Sequence, residues 1–319
     1  MRIVIKKQYQ FIERRRTAYT VSGIAILVSV IAMMWNVIST GSWLNYGVDF
    51  TGGTLVQVSF TQDVTPGDVR AALGEVGAPS VSQFGSEREF VIRAPLAEGI
   101  GVDEVRAQLE EQLTRSFGAG TYTLTRSELV GPTIGEELQR KAALATMISF
   151  LLTLVYLGFR FEIRFGLAAV IATMHDLAIT LGIIALFRME VLLPTIAAIL
   201  TIVGYSINDK VVIFDRIREN LNQKGARKDD QIALINRSVN ETIPRTIMTG
   251  LSVLASLLSL LFLGPVALRD FSLVLFLGIV IGTYSSMFIA SPALIEIQKR
   301  WGLGSEAKAK KKRSEPAAV

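Results

Sequence analysis

Five stretches of this 319-residue chain contain no Lys, Arg, Asp or Glu: 17–48, 142–159, 191–208, 246–268 and 271–295. A helix needs roughly 20 apolar residues to cross a hydrocarbon core of about 30 Å, so runs of this length predict membrane spans. A sixth stretch, 165–187, is apolar on both sides of His175-Asp176. The first run is too long for a cleaved signal peptide, and no small-residue cleavage site follows it. The expected fold is therefore a polytopic α-helical membrane protein with six transmembrane helices. Composition agrees: 50% of residues are hydrophobic and only 19% charged, against about 25% charged in globular domains. With no cysteine, disulfides, thiolate nucleophiles and Cys-ligated metals are excluded. A single histidine, His175, excludes a multi-His metal site. No metal and no cofactor are expected.

Lys and Arg set the orientation. Residues 1–16 carry Arg2, Lys6, Lys7, Arg14, Arg15 and Arg16, and the tail carries Lys299, Arg300, Lys308, Lys310, Lys311, Lys312 and Arg313. Six spans return the chain to its starting side, so both termini are expected in the cytoplasm. Arg160, Arg164 and the basic segment from Lys210 to Arg245 fall on that side too. Segment 42–138 has no Lys and carries 14 acids against 6 Arg, a net of −8, which belongs outside. The expected division is 1–16 basic N-terminus, 17–41 first span, 42–138 outside domain, 139–159 and 165–187 second and third spans, and 191–214 fourth span. A cytoplasmic loop over 215–243 follows, then 244–268 and 270–297 as fifth and sixth spans and a basic tail over 298–319. Basic charge sorted this way is a topology signal facing lipid and cytosol, and no nucleic-acid partner is expected.

Within the outside segment, Thr54 to Phe60 alternates apolar and polar residues as a half-buried strand does. Thr65-Pro66 with Asp68 opens a helix with apolar Val69, Leu73 and Val76. Ser80–Phe84 and Glu89–Ala94 read as strands about a Gly85-Ser86 turn. Val102–Leu113 reads as a helix with Val102, Val105 and Leu109 at helical spacing, and Tyr122–Leu129 as a last strand. The order β-α-β-β-α-β predicts an extracytoplasmic ferredoxin-like α+β domain. It holds no convergent catalytic set.

An ionisable group within a span costs at least about 2.5–3.5 kcal/mol at the helix centre and marks a functional candidate. His175-Asp176 lies midway along span three, where a pair bridging helices is the structural alternative to a functional one. Asn208-Asp209-Lys210 ends the fourth run just before apolar Val211–Phe214, and Arg245 follows Pro244 at the start of span five. Span counting puts Asp209 in the cytoplasmic third of the membrane or at its edge. Lys210 and Arg245 read as boundary residues that snorkel to the interface.

Three motifs carry a family resemblance. Gly47-Val48-Asp49-Phe50-Thr51-Gly52-Gly53 follows span one; Gly204-Tyr205-Ser206-Ile207-Asn208-Asp209 and Val212-Ile213-Phe214-Asp215-Arg216-Ile217-Arg218-Glu219-Asn220 lie in and after span four; Asn240-Glu241-Thr242 with Arg245-Thr246-Ile247-Met248-Thr249 opens span five. Together they resemble the SecF family of protein-export membrane proteins, related to RND-type transporters. The resemblance covers the whole chain. It implies a bacterial inner-membrane subunit that pairs with SecD beside the SecYEG channel and uses the proton motive force, with protons as coupling ion, to help draw exported polypeptides across. It also implies that Asp209 carries the proton, with Arg245 as its partner on a facing helix, within reach directly or through water, and that both lie deeper than span counting suggests. His175, Asp176 and Asn208 are then supporting polar groups, while Gly47, Asp49, Gly52 and Gly53 form the family motif, with a structural role for the paired glycines. Lys210 departs from the family pattern, where a small hydroxyl residue is expected; turned about 100° from Asp209 on a helix, it should affect that residue modestly. Other readings are a passive scaffold of the translocon, half of a small-molecule RND exporter, and an intramembrane aspartyl protease using Asp176 and Asp209, which fits neither protease motif.

Overall fold

The structure is a computed structural model that describes residues 8–74, 79–84, 86–95, 102–223, 230–265 and 268–301. The basic residues Arg2, Lys6 and Lys7, the basic tail past Trp301, Val76 and Gly85 lie outside the described residues. Among the described residues six helices are long and apolar enough to cross a membrane. They are α1 (Arg15–Thr40), α5 (Pro132–Arg160), α6 (Ile163–Leu186), α7 (Leu193–Leu221), α8 (Gln231–Leu263) and a last span made of α9 (Arg269–Ser285), a π-helical turn (Ser286–Ala290) and α10 (Ser291–Trp301). Helix α1 stops at Gly41, whose φ of 75° is left-handed and whose N–H donates to the Val37 carbonyl, a glycine C-terminal cap. Segment 215–243 is largely helical. Helix α7 runs on to Leu221 and α8 starts at Gln231, tied together by Arg216–Glu241 at 2.7 Å and Asn220–Ser238 at 2.9 Å. Pro244 is consequently internal to α8.

Helices α6, α7 and the last span pack centrally, while α1, α5 and α8 leave Ile38, Phe159 and Leu263 exposed as lipid-facing side chains. The bundle core divides in two along these helices. One apolar cluster joins Leu44, Ile184, Ile199, Ile202, Val274 and Ile279; the other joins Ala172, Ile213, Phe214, Ile289 and Leu294. The second cluster also takes in Phe11 and Ile12 of the segment before α1. That segment is held on α8 by Asn236, which accepts from the Phe11 and Ile12 N–H groups, and by Asn240, which pairs with both backbone groups of Tyr9.

The outside domain carries β2 (Gly53–Phe60), α3 (Pro66–Ala72), β3 (Ser80–Gln83), β4 (Glu89–Pro95), α4 (Val102–Phe117) and β5 (Tyr122–Val130). The element order is the one the alternation and caps suggest, and the antiparallel sheet runs β3-β4-β2-β5. Thr65 and Asp68 exchange the two bonds of a capping box at α3, which satisfies two otherwise free donors. Val56, Val58 and Phe60 alternate inward from β2 and meet Val69, Leu73, Val105, Leu109 and Leu113 of the two helices, as a two-residue period requires.

A short joint connects this domain to the bundle. Strand β1 (Asn45–Tyr46), one helical turn α2 (Val48–Thr51) and strand β6 (Glu190–Val191), just before α7, meet there, with β1 and β6 paired in parallel.

Candidate functional site

Between the two apolar clusters, at mid-depth of the central helices, lies a belt of polar side chains. On α6 it holds His175 and Asp176, on α7 Ser206, Asp209 and Lys210, and on α9 Thr283. Asp176 and Lys210 are wholly buried, Asp209 is 2% exposed and His175 7%. Asp176 accepts from Lys210 Nζ at 2.7 Å and from the Ser206 hydroxyl on Oδ2, and it meets His175 Nδ1 at 2.9 Å on Oδ1. Lys210 Nζ donates in addition to the Ser206 hydroxyl and to the Ser206 carbonyl at 3.3 Å. An ammonium has three N–H donors, and here all three have acceptors. His175 Nε2 is buried and has no hydrogen-bond partner among the described residues. A buried charge pair persists only where hydrogen bonds complete it, and the three acceptors around Lys210 do so here.

Asp209 sits one turn from Ser206 on the same helix, at the sixteenth step after Leu193, about 24 Å along α7 at 1.5 Å per residue. Its Oδ2 lies 3.5 Å from the Thr283 hydroxyl, a long contact. The π-helical turn begins three residues past Thr283, and such turns concentrate at functional sites. Close helix packing shapes the site: Gly278 of α9 lies hard against Ile202 of α7, and Gly282 against Ser206. Small residues are what lets membrane helices approach this closely.

Several expectations need correction. Lys210 is no snorkelling boundary residue. Turned from Asp209 by one residue, it faces α6, where Asp176 awaits it. Asp209 is buried, and apolar packing on α7 continues past it through Ile213 and Phe214. Asn208 points outward on α7 and takes no part in the belt. Arg245 occupies an exposed position on α8 and makes no ion pair with Asp209, so of the two expected arrangements direct contact is not the one formed. No hydrogen bond joins Asp176 to Asp209 among the described residues, whereas a protease dyad shares a proton between its carboxyls. Ser206 and Thr283 were missed. Their signal was present, as hydroxyls inside uncharged runs, Ser206 one turn before the Asp-Lys pair. A cavity of about 640 Å³ beside α5 is lined mainly by apolar side chains such as Trp43, Phe50 and Phe150, and none of the belt residues lines it.

The glycine motif builds the joint at the outer end of α7. Asp49 Oδ2 accepts from the Leu193 N–H at 3.0 Å, the first residue of α7. Pro194 has no N–H to satisfy, and the Thr195 N–H bonds the Leu192 carbonyl at 3.0 Å. The helix start is therefore closed by a carboxylate. The Gly47 N–H donates to the Val191 carbonyl at 2.9 Å, and a Cβ there would strike Leu192 and Glu190. Gly53, at φ +149°, lies so close to the Ala94 carbonyl that any Cβ would collide with it. Gly47 and Gly53 thus sit where no side chain fits, and Asp49 grips α7. Ser80 Oγ donates to Glu190 Oε2 at 3.1 Å, joining β3 to the same place. Burial pushes the Glu190 carboxyl above its ordinary range, with Arg93 opposing.

Comparison with known proteins agrees with the resemblance seen in the motifs. Residues 109–300 match the family "Protein export membrane protein SecD/SecF, C-terminal", and residues 37–64 match the SecD/SecF GG motif. Protein translocase subunit SecF of Gemmatimonas aurantiaca is 40% identical over 309 residues, covering 94% of this chain and 90% of that one. The SecF subunit of Desulfurispirillum indicum is 40% identical over 296 residues, covering 91% and 92%. The chain also resembles the solved structure of SecDF, a translocon-associated membrane protein from Thermus thermophilus, with a TM-score of 0.75 and 39% identity. That likeness covers 94% of this chain and 40% of the SecDF chain, so this chain spans about two fifths of that longer protein.

Proposed function

This chain belongs to the SecD/SecF family of protein-export membrane proteins, and from that premise we propose that it is the SecF-type subunit of a bacterial protein translocase. It sits in the inner membrane with both termini in the cytoplasm. It pairs with SecD and uses the proton motive force to promote passage of polypeptides through SecYEG. The observation that carries this reading is Asp209: a carboxyl buried about midway along α7, the helix whose outer end is gripped by the joint to the outside domain.

In this reading Asp209 loads a proton from one side of the membrane and releases it to the other. Protonation removes one negative charge from the belt while Asp176 and Lys210 stay paired. Arg245 cannot lose its proton and serves as the counter-charge that approaches and leaves. Each charge moved through the field is worth about 2.3 kcal/mol per 100 mV. Movement of α7 then reaches the outside domain through Asp49 and Gly47. Fusion of the two subunits into one chain in the Thermus thermophilus relative, SecDF, supports the pairing with SecD.

The test uses vesicles containing this chain with its SecD partner and SecYEG. Asp209→Asn should abolish stimulation of export by a proton gradient and leave ATP-driven export intact. Full stimulation by the variant would overturn the carrier role and leave a passive scaffold.

A further inference from the structure

The function proposed above leaves Lys210 unused. Its four-carbon stem reaches back one turn, so that Nζ sits among Asp176 Oδ2, the Ser206 hydroxyl and the Ser206 carbonyl. A carboxylate, a hydroxyl and a main-chain carbonyl are hard oxygen donors, the set that suits a hard cation. The lysine and its carboxylate partner are both sealed from solvent, at 0% side-chain exposure. Asp176 is held in place independently of Lys210, by His175 Nδ1 at 2.9 Å and by the Ser206 hydroxyl. Without Lys210 the Asp176 carboxylate and two further convergent oxygens of Ser206 would stay buried, and a buried unpaired charge is strongly unfavourable.

We propose that Lys210 is a tethered monovalent cation: its ammonium fills a cation site made by Asp176 and Ser206, and by filling it determines which ions enter the core beside Asp209. A short side chain at this position leaves the Asp176 carboxylate without a tethered counter-charge and opens the place to a diffusible cation, whereas this chain carries its own. This deepens the proposed function, on which it rests for one consequence, that the proton is left as the only exchanging ion. The cation site itself is read by stability, so the two ideas fail separately.

The experiment compares thermal melting of the full chain in lipid nanodiscs in ammonium, potassium and choline chlorides at equal pH and ionic strength. An ammonium ion is close to potassium in size, and choline is too large for the space a lysine head group leaves. The unmodified chain should melt alike in all three. Lys210→Ala should melt lower than the unmodified chain in choline and regain at least ~2 °C in ammonium or potassium. Adding Asp176→Asn to that variant should abolish the regain. Equal melting of Lys210→Ala in the three salts overturns the proposal. So does ion-dependent melting of the unmodified chain, and so does a regain that survives loss of the Asp176 carboxylate. If Lys210→Ala folds too poorly to melt, the yield of folded protein in potassium against choline gives the same reading: a higher yield in potassium supports the site, and equal yields overturn it.

Discussion

Helix α7 is held in two places by opposite chemistry. At its outer end the joint relies largely on backbone hydrogen bonds: Gly47 N–H to Val191, the β1–β6 pair, and the Leu193 N–H on Asp49. At mid-depth the belt uses side-chain charges: Asp176 with Lys210, and Asp209 beside them. Backbone bonds keep their geometry whatever the proton does, whereas a charge belt in a low-dielectric interior is rebalanced by a single proton. A helix fixed at one end and electrically adjustable in its middle is suited to carry a change from the second place to the first. Each half of this contrast can be broken separately.

The largest effect is expected in the belt. Asp176→Ala leaves Lys210 buried and unpaired and should lower stability by about 3–5 kcal/mol, read by denaturant unfolding in detergent micelles. Asp176→Asn combined with Lys210→Met removes both charges and should recover most of that loss. A single variant as stable as the parent would mean that the pair holds nothing. Next comes the joint. Gly53→Ala places a Cβ against the Ala94 carbonyl at a φ of +149° and should cost about 1–3 kcal/mol. Its signature is local: faster proteolysis within the outside domain with the six-helix bundle intact. Loss of the bundle instead would merge the two regions into one unit.

The two regions also differ in how far the sequence revealed them. Spans were legible because charge is excluded over a whole membrane thickness, a constraint no local contact overrides. Strand β2 and the Thr65-Asp68 cap were legible because both are set within a few residues. The belt was only half legible. Asp176 and Asp209 stood out as charges in apolar runs, but Lys210 was read from its place near the end of an uncharged run. Its partner lies 34 positions away on another helix, and no periodicity on α7 encodes that. Asn208 failed in the opposite direction: it is polar and next to Asp209, yet the helical turn of 100° per residue sends it outward. The joint was legible as a motif but not as a mechanism, since the grip of Asp49 on Leu193 spans 144 positions.

That grip gives a smaller and more specific effect. Asp49→Ala removes the acceptor of the first α7 N–H and should cost about 1 kcal/mol, with Asp49→Asn losing less because the amide oxygen still accepts. If α7 transmits its movement through this contact, Asp49→Ala should reduce gradient-stimulated export by more than its stability loss explains. Export that falls only in proportion to folded protein would make the joint a mere tether.

The smallest effect concerns Glu190, which faces Ser80, Arg93, Asp49 and Asp270 at the joint. Burial raises its carboxyl above the ordinary value of 4.5, so the folded chain binds this proton more tightly than the unfolded chain. Folding is then favoured at pH below 4.5 by the full contribution of this group, and that contribution is lost as pH rises through the raised value. Glu190→Gln should flatten this part of the pH profile while leaving the hydrogen bond from Ser80 an acceptor. The readout is the difference in melting temperature between parent and variant at mildly acidic and neutral pH. If the parent has no excess pH slope over Glu190→Gln, the joint does not titrate at this carboxyl, which would sharpen the contrast with the belt.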